Sequence, residues 1–321
     1  METGSILAKE QHMRILMFGR GVIATIYGRV LHAAGHDVEF YVRPGRAAEY
    51  GDAVQLDWID GRRKPVGRRV RESFRTPLRE SIDAGDGFDV IVLSVGHHRL
   101  AEAARFLAPR VGTATILVFG NLWQEPLAAV APLPADQLVF GFPQAGGGFR
   151  QDGVLSGALL PSVIIGMTAA SLTQREQAVI MAFRHAGLAV RQEEDMRGWL
   201  WLHFIADAGM FAQAMRSGSL AKMIGDPRAL REAFVTTREL LPVLEARGVD
   251  LRRHRAAMLP YRRPRLVAAV FGWASMLIPI ARRSLEAHTD PHAAEAVAVI
   301  DDTLREAHRL GIPAPRLLSR R

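Results

Sequence analysis

Two sets of residues in this chain have types and spacings that could carry chemistry. The first is Gly19-Arg20-Gly21-Val22-Ile23-Ala24, a G-x-G-x-x-A turn. Gly19 permits a tight bend, Gly21 has no side chain to hold a pyrophosphate off the backbone, and Ala24 is small enough for a helix to pack on a strand. First-turn N–H groups of that helix would then face the phosphates. The second set is His203 and, four residues later, Asp207. On a helix this spacing puts both side chains on one face. A carboxylate beside an imidazole fixes the ring's orientation. Histidine exchanges protons near neutral pH, so His203 could donate one to a carbonyl oxygen as it becomes an alkoxide. The competing reading is a partly buried His–Asp pair that only supports packing.

The glycine turn has meaning only inside a β-α-β unit. Ile15-Leu16-Met17-Phe18 reads as a buried strand, Val22 to Ala34 as a helix stopped by Gly35, and Val38 to Val42 as the next strand. NAD sites usually carry an acid at the tip of that second strand, for the ribose hydroxyls. Here the tip is Tyr41-Val42-Arg43, then Pro44-Gly45-Arg46, and Glu39 comes too early. Arg43 and Arg46 suit a 2′-phosphate, so NADP(H) is the expected cofactor. The alternative for both arginines is solvated loop charge. A further buried strand over Phe88–Gly96 ends in Ser94, Val95 and Gly96, small residues as expected where a strand's carboxyl end meets a cofactor.

Residues Gly51 to Ile82 read as short antiparallel strands, Arg99–Ala108 and Leu172–Ala186 as helices, and 115–119, 137–142 and 162–166 as strands. Gln144 to Gly148, with its three glycines, reads as a flexible loop. From Met196 onward the periodicity is helical, with helices expected near 196–216, 227–247, 251–258, 264–283 and 291–310. The expected plan is a disordered lead-in over 1–12, a Rossmann-type α/β domain over 13–193 and an all-α substrate and dimerisation domain over 194–321.

The composition narrows the function. The 321 residues include no cysteine, which excludes disulfides, thiolate metal sites and a cysteine nucleophile. The formal charge is +8, but the arginines are spread and not interleaved with aromatics, so no nucleic-acid partner is expected. The N-terminal METGSILAKEQH lacks the apolar core of a signal peptide, and a cytoplasmic location is expected. The apolar run Leu266–Ala281 is shorter than the roughly 20 residues of a membrane span and contains Gly272 and Pro279. It is expected as a buried helix or as the subunit interface of a homodimer. His32, His36, His185 and His254 are isolated, and no spacing suggests a metal site. His97-His98 could line the cofactor cleft, but as a loop pair at a strand end they are expected in solvent, and Trp199, Trp201 and Phe204 in the core or an interface.

The stretch GRGVIATIYGRVLHAAGHDVEFYVR resembles the opening of the ketopantoate reductases (2-dehydropantoate 2-reductases). Phe119-Gly120-Asn121 falls where that family has Gln-Asn-Gly. Asp195-Met196-Arg197 with Trp201 is similar to the entry into its first C-terminal helix, and His308 to Pro315 to its final helix and exit. The resemblance implies a helical domain like that of 6-phosphogluconate dehydrogenase and reduction of an α-keto acid by NADPH. It implies that Asn121 lies near nicotinamide and substrate and that Glu295 is the assisting glutamate, with Glu286 as the alternative if the alignment slips. The family's lysine, which hydrogen-bonds the substrate carbonyl, has no match: His203 stands in its place, and Lys222 is too far along. Asp207 and Phe211 replace two family asparagines, and the serine-rich segment survives at most as Ser284. The expected activity is an NADPH-dependent reduction of a keto group on a small keto-acid-like substrate, carried by His203, Asp207, Asn121 and Glu295. The changed residues argue against ketopantoate itself. They also leave open a non-catalytic NADP(H) sensor, or another hydroxyacid or opine-type dehydrogenase.

Overall fold

The computed structural model describes residues 12–64, 66–166, 171–286 and 293–319. The lead-in expected over 1–12 therefore lies outside the described residues, apart from His12. The chain begins with β1 (Arg14–Phe18), α1 (Val22–Ala33) and β2 (Asp37–Tyr41). Leu16 and Met17 of β1 are wholly buried. Gly19 then reverses the chain at φ +101°, a conformation that glycine adopts without Cβ strain. Its N–H donates to the Tyr41 carbonyl at 2.9 Å, which binds the turn to the end of β2.

The α/β domain continues through α2 (Ala47–Tyr50), β3 (Ala53–Asp60), β4 (Arg68–Arg75), β5 (Leu78–Arg79), β6 (Val90–Leu93), α3 (Leu100–Leu107), β7 (Thr115–Phe119) and α4 (Pro126–Ala129). It ends with β8 (Leu138–Phe142), β9 (Ala145–Phe149), β10 (Leu155–Leu159), β11 (Ser162–Gly166), α5 (Gln174–His185) and β12 (Ala189–Glu193). Eight strands form one sheet in the order β12-β11-β8-β7-β6-β1-β2-β5. From β5 to β8 all neighbours are parallel, whereas β11 runs antiparallel to β8. The chain passes from β1 to β2 on one side and returns to β6 on the other. That reversal opens a crevice at the carboxyl ends of β1 and β6, where ligands of such sheets bind. The strand expected over 88–96 pairs only at Val90–Leu93, so Ser94–Gly96 leaves the sheet at this point.

A second sheet, β4-β3-β10-β9, lies against α1 and the helical domain. It corrects the reading of Gln144–Gly148 as a flexible loop. Ala145–Phe149 is β9, antiparallel to β10 with Gly147 opposite Gly157. A Cβ on Gly147 would stand 2.6 Å from the Ser156 carbonyl oxygen and 2.9 Å from Cγ1 of Val22. The glycines thus let a strand lie directly on the start of α1, a close backbone approach and not slack chain.

The helical domain comprises α6 (Met196–Ser217), α7 (Pro227–Ala246), α8 (Leu259–Arg262), α9 (Pro264–Leu277), α10 (Pro279–Glu286), α11 (Ala294–Arg309) and α12 (Pro315–Leu318). Asp195 caps α6 by accepting from the Gly198 N–H at 3.1 Å. His254 contacts the other oxygen of the same carboxylate at 3.0 Å. This contact holds residues 251–258 in turns, not in the expected helix. The helix expected over 264–283 is two helices bent by 97°. Pro279 has no N–H to continue the ladder and forces extended backbone on Ile278, whose ψ is 114°.

Leu266–Ala281 is likewise not a buried helix. Ala268, Gly272 and Ser275 of α9 are buried, and the helix packs against α7. Leu266, Val270, Trp273 and Leu277 are about 60% exposed along its outer face. No single described helix is long and apolar enough to cross a membrane; only α9 and α10 taken together pass on length and composition. Behind α6, Trp201 and Phe204 form a core with Trp123, and the Arg247 guanidinium lies 3.5 Å from the Trp201 ring centroid.

Candidate active site

A cleft of about 1620 Å³ runs from the glycine turn to the helical domain and takes lining residues from both. At one end, α1 has neither a side-chain cap nor an acid in its first turn. Its leading N–H groups are therefore open to an anion. A Cβ built on Gly21 would meet nothing within 4 Å, so the space above the turn is clear. Ala24, the last residue of the glycine pattern, is 2% exposed and does not line the cleft. It serves the packing of α1 on the sheet instead.

Beside the turn, three arginines have different surroundings. The Arg20 and Arg46 guanidiniums lie 4.9 and 5.3 Å from the Tyr50 ring centroid. Arg20 also donates to the Ala53 carbonyl at 3.2 Å, and Arg46 pairs with Glu49 at 2.9 Å. Arg43 is exposed and lines the cleft at the tip of β2. Ser94, Val95 and Gly96 line it at the end of β6.

At the far end the cleft meets α6. Asn121, just past β7, donates from Nδ2 to Asp207 Oδ2 at 2.7 Å. Nε2 of His203 is 3.5 Å from Oδ1 of the same carboxylate. The first contact is a hydrogen bond; the second is an ion-pair distance that leaves the imidazole nitrogen room for another partner. Asp207 is thus held mainly from the sheet, a relationship the helical spacing alone did not reveal. The His203 ring stacks on Trp199 at 5.2 Å between centroids with planes 8° apart, and Phe142 closes on it at 4.3 Å. Oδ1 of Asn121 is buried and has no hydrogen-bond partner among the described residues.

Glu295, at the start of α11, faces the same space. Its Cδ lies 3.5 Å from where a Cβ on Gly96 would be, so the absence of that Cβ lets the carboxyl approach the strand end. Glu295 is exposed as a residue, but the surrounding protein desolvates its carboxyl; that desolvation, and then the nearby Asp207 charge, raise its pKa above the ordinary glutamate value. Glu286 is engaged by Arg282 at 2.6 Å and does not line the cleft, so the geometry favours Glu295 of the two.

The expected groups therefore meet: His203, Asp207, Asn121 and Glu295 line one cleft with Gly19–Ile23, Arg43, Arg46 and Ser94–Gly96. His97 is not in solvent. Its side chain is 7% exposed, and Nε2 contacts Asp302 of α11 at 2.9 Å, bridging the two domains. Burial lowers the His97 pKa, partly offset by Asp302. Trp199 and Phe142 were missed as site residues. Trp199 precedes His203 by four residues and so shares its face. Phe142 ends β8 of the eight-stranded sheet, at the carboxyl ends where ligands of such sheets bind. Among the described residues, no group of three or more His, Asp or Glu could hold a metal ion.

Comparison with known proteins agrees with this architecture. A sequence model of ketopantoate reductase PanE/ApbA matches residues 15–190. No curated protein matches the chain. Among solved structures, a PanE/ApbA family ketopantoate reductase from Ralstonia eutropha JMP134 superposes with TM-score 0.63 at 19% identity, over 96% of each chain. A 2-dehydropantoate 2-reductase from Geobacter metallireducens GS-15 gives TM-score 0.63 at 16% identity, over 95% of this chain and 96% of that one. D-mandelate dehydrogenase, solved in complex with NADH, gives 0.68 at 12% identity, over 95% of each. At these identities the likeness is one of fold.

Proposed function

The chain belongs to the ketopantoate reductase family of nicotinamide-dependent oxidoreductases, and from that premise we propose that it is an NADPH-dependent reductase of a keto group on a small acid-bearing or apolar substrate. The observation that carries this reading is the convergence of Asn121, Asp207 and His203 with the glycine turn in one cleft. The α1 N–H groups and Gly21 hold the pyrophosphate, and Arg43, the least engaged of the three arginines, meets the 2′-phosphate. A bound nicotinamide supplies the hydride. His203 gives a proton to the substrate oxygen as it gains negative charge, replacing the family's lysine. Asn121 fixes Asp207, and Asp207 orients the imidazole. Trp199 and Phe142 cover the ring faces and keep water from them.

Fluorescence titration with NADPH and NADH tests the cofactor half of this reading. NADPH is expected to bind the tighter; equal or absent binding overturns it. A second reading, a non-catalytic NADP(H) sensor, is favoured by the missing lysine. Tight NADPH binding without oxidation of NADPH across a broad panel of carbonyl compounds would select it.

A further inference from the structure

The reacting end of the cleft has an unusual charge inventory. The arginines of the whole cleft are Arg20, Arg43, Arg46 and Arg99, all around the ends of β1, β2 and β6 where the dinucleotide belongs. From Phe119 to the end of the chain no lysine or arginine is among its described lining residues. Phe142, Trp199, Phe211, Phe271, Ile280 and Leu285 supply apolar walls there. The charged groups are Asp207, Glu295, the ionisable His203 and Asp152, which is paired with Arg150 at 2.8 Å. Arg283 lies close by, but its Nη1 is bound to Ser156 Oγ at 2.5 Å, and it does not line the space.

A carboxylate next to the reacting carbonyl would have to be stripped of water here and be met by a positive group. Among the described lining residues at this end His203 is the one side chain able to carry positive charge, and Asp207 already faces it at 3.5 Å. The incoming anion would join Asp207 and Glu295, two acids already on this end of the cleft. Desolvation of its carboxyl and the Asp207 charge already raise the Glu295 pKa. Phe211, which the resemblance sets where the family has its second asparagine, adds apolar surface to the lining in place of a hydrogen-bonding group.

We propose that the substrate is a neutral apolar ketone, with an aromatic or branched substituent, whose reacting carbonyl bears no free carboxylate. This rests on the reductase reading above and narrows its substrate class. Hydride from NADPH forms the new C–H bond, the C=O π electrons pass to oxygen, and the proton held by His203 completes the hydroxyl. The ketone is reduced to an alcohol, NADPH is oxidised to NADP⁺, and water returns the proton to His203.

The matched probes are benzoylformate and its methyl ester, which share the aromatic ring and an activated ketone and differ in charge. With the intact protein and NADPH, kcat/KM is expected to favour the ester by about tenfold or more, the size of one unmet charge. Equal use of the two, or preference for the anion, overturns the substrate class and leaves the reductase reading standing. If neither is reduced, calorimetric titration of each onto the NADP⁺-loaded protein decides: tighter ester binding supports the class, while equal binding, preference for the anion or no binding overturns it. Absence of any NADP(H) binding overturns both readings. Glu295→Gln removes an ionisable acid and is expected to bring the two affinities closer together; an unchanged ratio removes the electrostatic ground of the proposal.

Discussion

Asn121 at the end of β7 and Asp207 on α6 are joined by a 2.7 Å hydrogen bond, so the carboxylate beside His203 is positioned by the other domain. The helix alone sets His203 and Asp207 on one face. The sheet decides which way Asp207 points. One asparagine thus ties the end of β7 to the carboxylate on α6, and its remaining oxygen is buried without a partner among the described residues.

His203→Ala removes the proton donor and leaves the glycine turn untouched. Turnover of any accepted carbonyl substrate should fall roughly 10²–10⁴-fold. The NADPH dissociation constant, from fluorescence titration, should stay within about twofold, because a group outside the dinucleotide end contributes little to that affinity. Turnover that survives would exclude His203 as the acid.

Arg43→Ala should weaken NADPH by roughly tenfold, the worth of one charge-assisted contact to phosphate, while hardly changing NADH. Arg46→Ala should have the smaller effect, since Arg46 is already paired with Glu49 and set against Tyr50. Titration of both variants with both cofactors checks the order; a larger loss at Arg46 would reverse the assignment.

His97 makes stability depend on pH. Its pKa is lowered chiefly by burial, and its Nδ1 is buried without a partner, so the folded protein prefers the neutral ring. The unfolded chain then binds more protons than the folded one below the ordinary value of 6.5. Stability should be fully present above that pH and be lost as pH falls through the depressed folded value. Tm measured from pH 7.5 down to pH 5 should fall more steeply for the natural protein than for His97→Gln. Parallel curves would show that His97 contributes nothing to the slope.

Gly147→Ala tests the fit of β9 on α1. The added methyl would lie 2.6 Å from backbone oxygen and 2.9 Å from Val22, so strand or helix must shift. An overpacking cost of about 1–3 kcal/mol and a Tm loss of about 3–10 °C are expected. NADPH affinity should fall as well, because Val22 belongs to the phosphate turn. A variant of natural Tm would mean that the contact relaxes freely.

The parts legible in the sequence were those with a local signature. Strand, Gly19–Ala24, helix and strand appear in order because the β-α-β unit is short and each member leaves its own periodicity. His203 and Asp207 were legible as a pair because helical spacing is local too. Gln144–Gly148 was misread because composition alone cannot distinguish glycines that allow freedom from glycines that allow contact; that depends on Val22, more than a hundred residues away. Residues 251–258 were misread because the long-range contact between His254 and Asp195 overrides helical periodicity. The burial of His97 was hidden for the same reason, since Asp302 lies 205 positions along the chain.

The cleft has one wall of peptide groups and one of side chains, and the two have different evolutionary freedom. The Gly19–Gly21 turn and the glycine strand β9 present backbone, which substitution cannot retune without displacing it. Across from them, Phe211, Phe271, Ile280 and Leu285 are interchangeable in kind. A lineage can therefore exchange its substrate by drift along α6, α9 and α10 while its cofactor stays the same, so new reductases of this plan should diverge fastest in their C-terminal third.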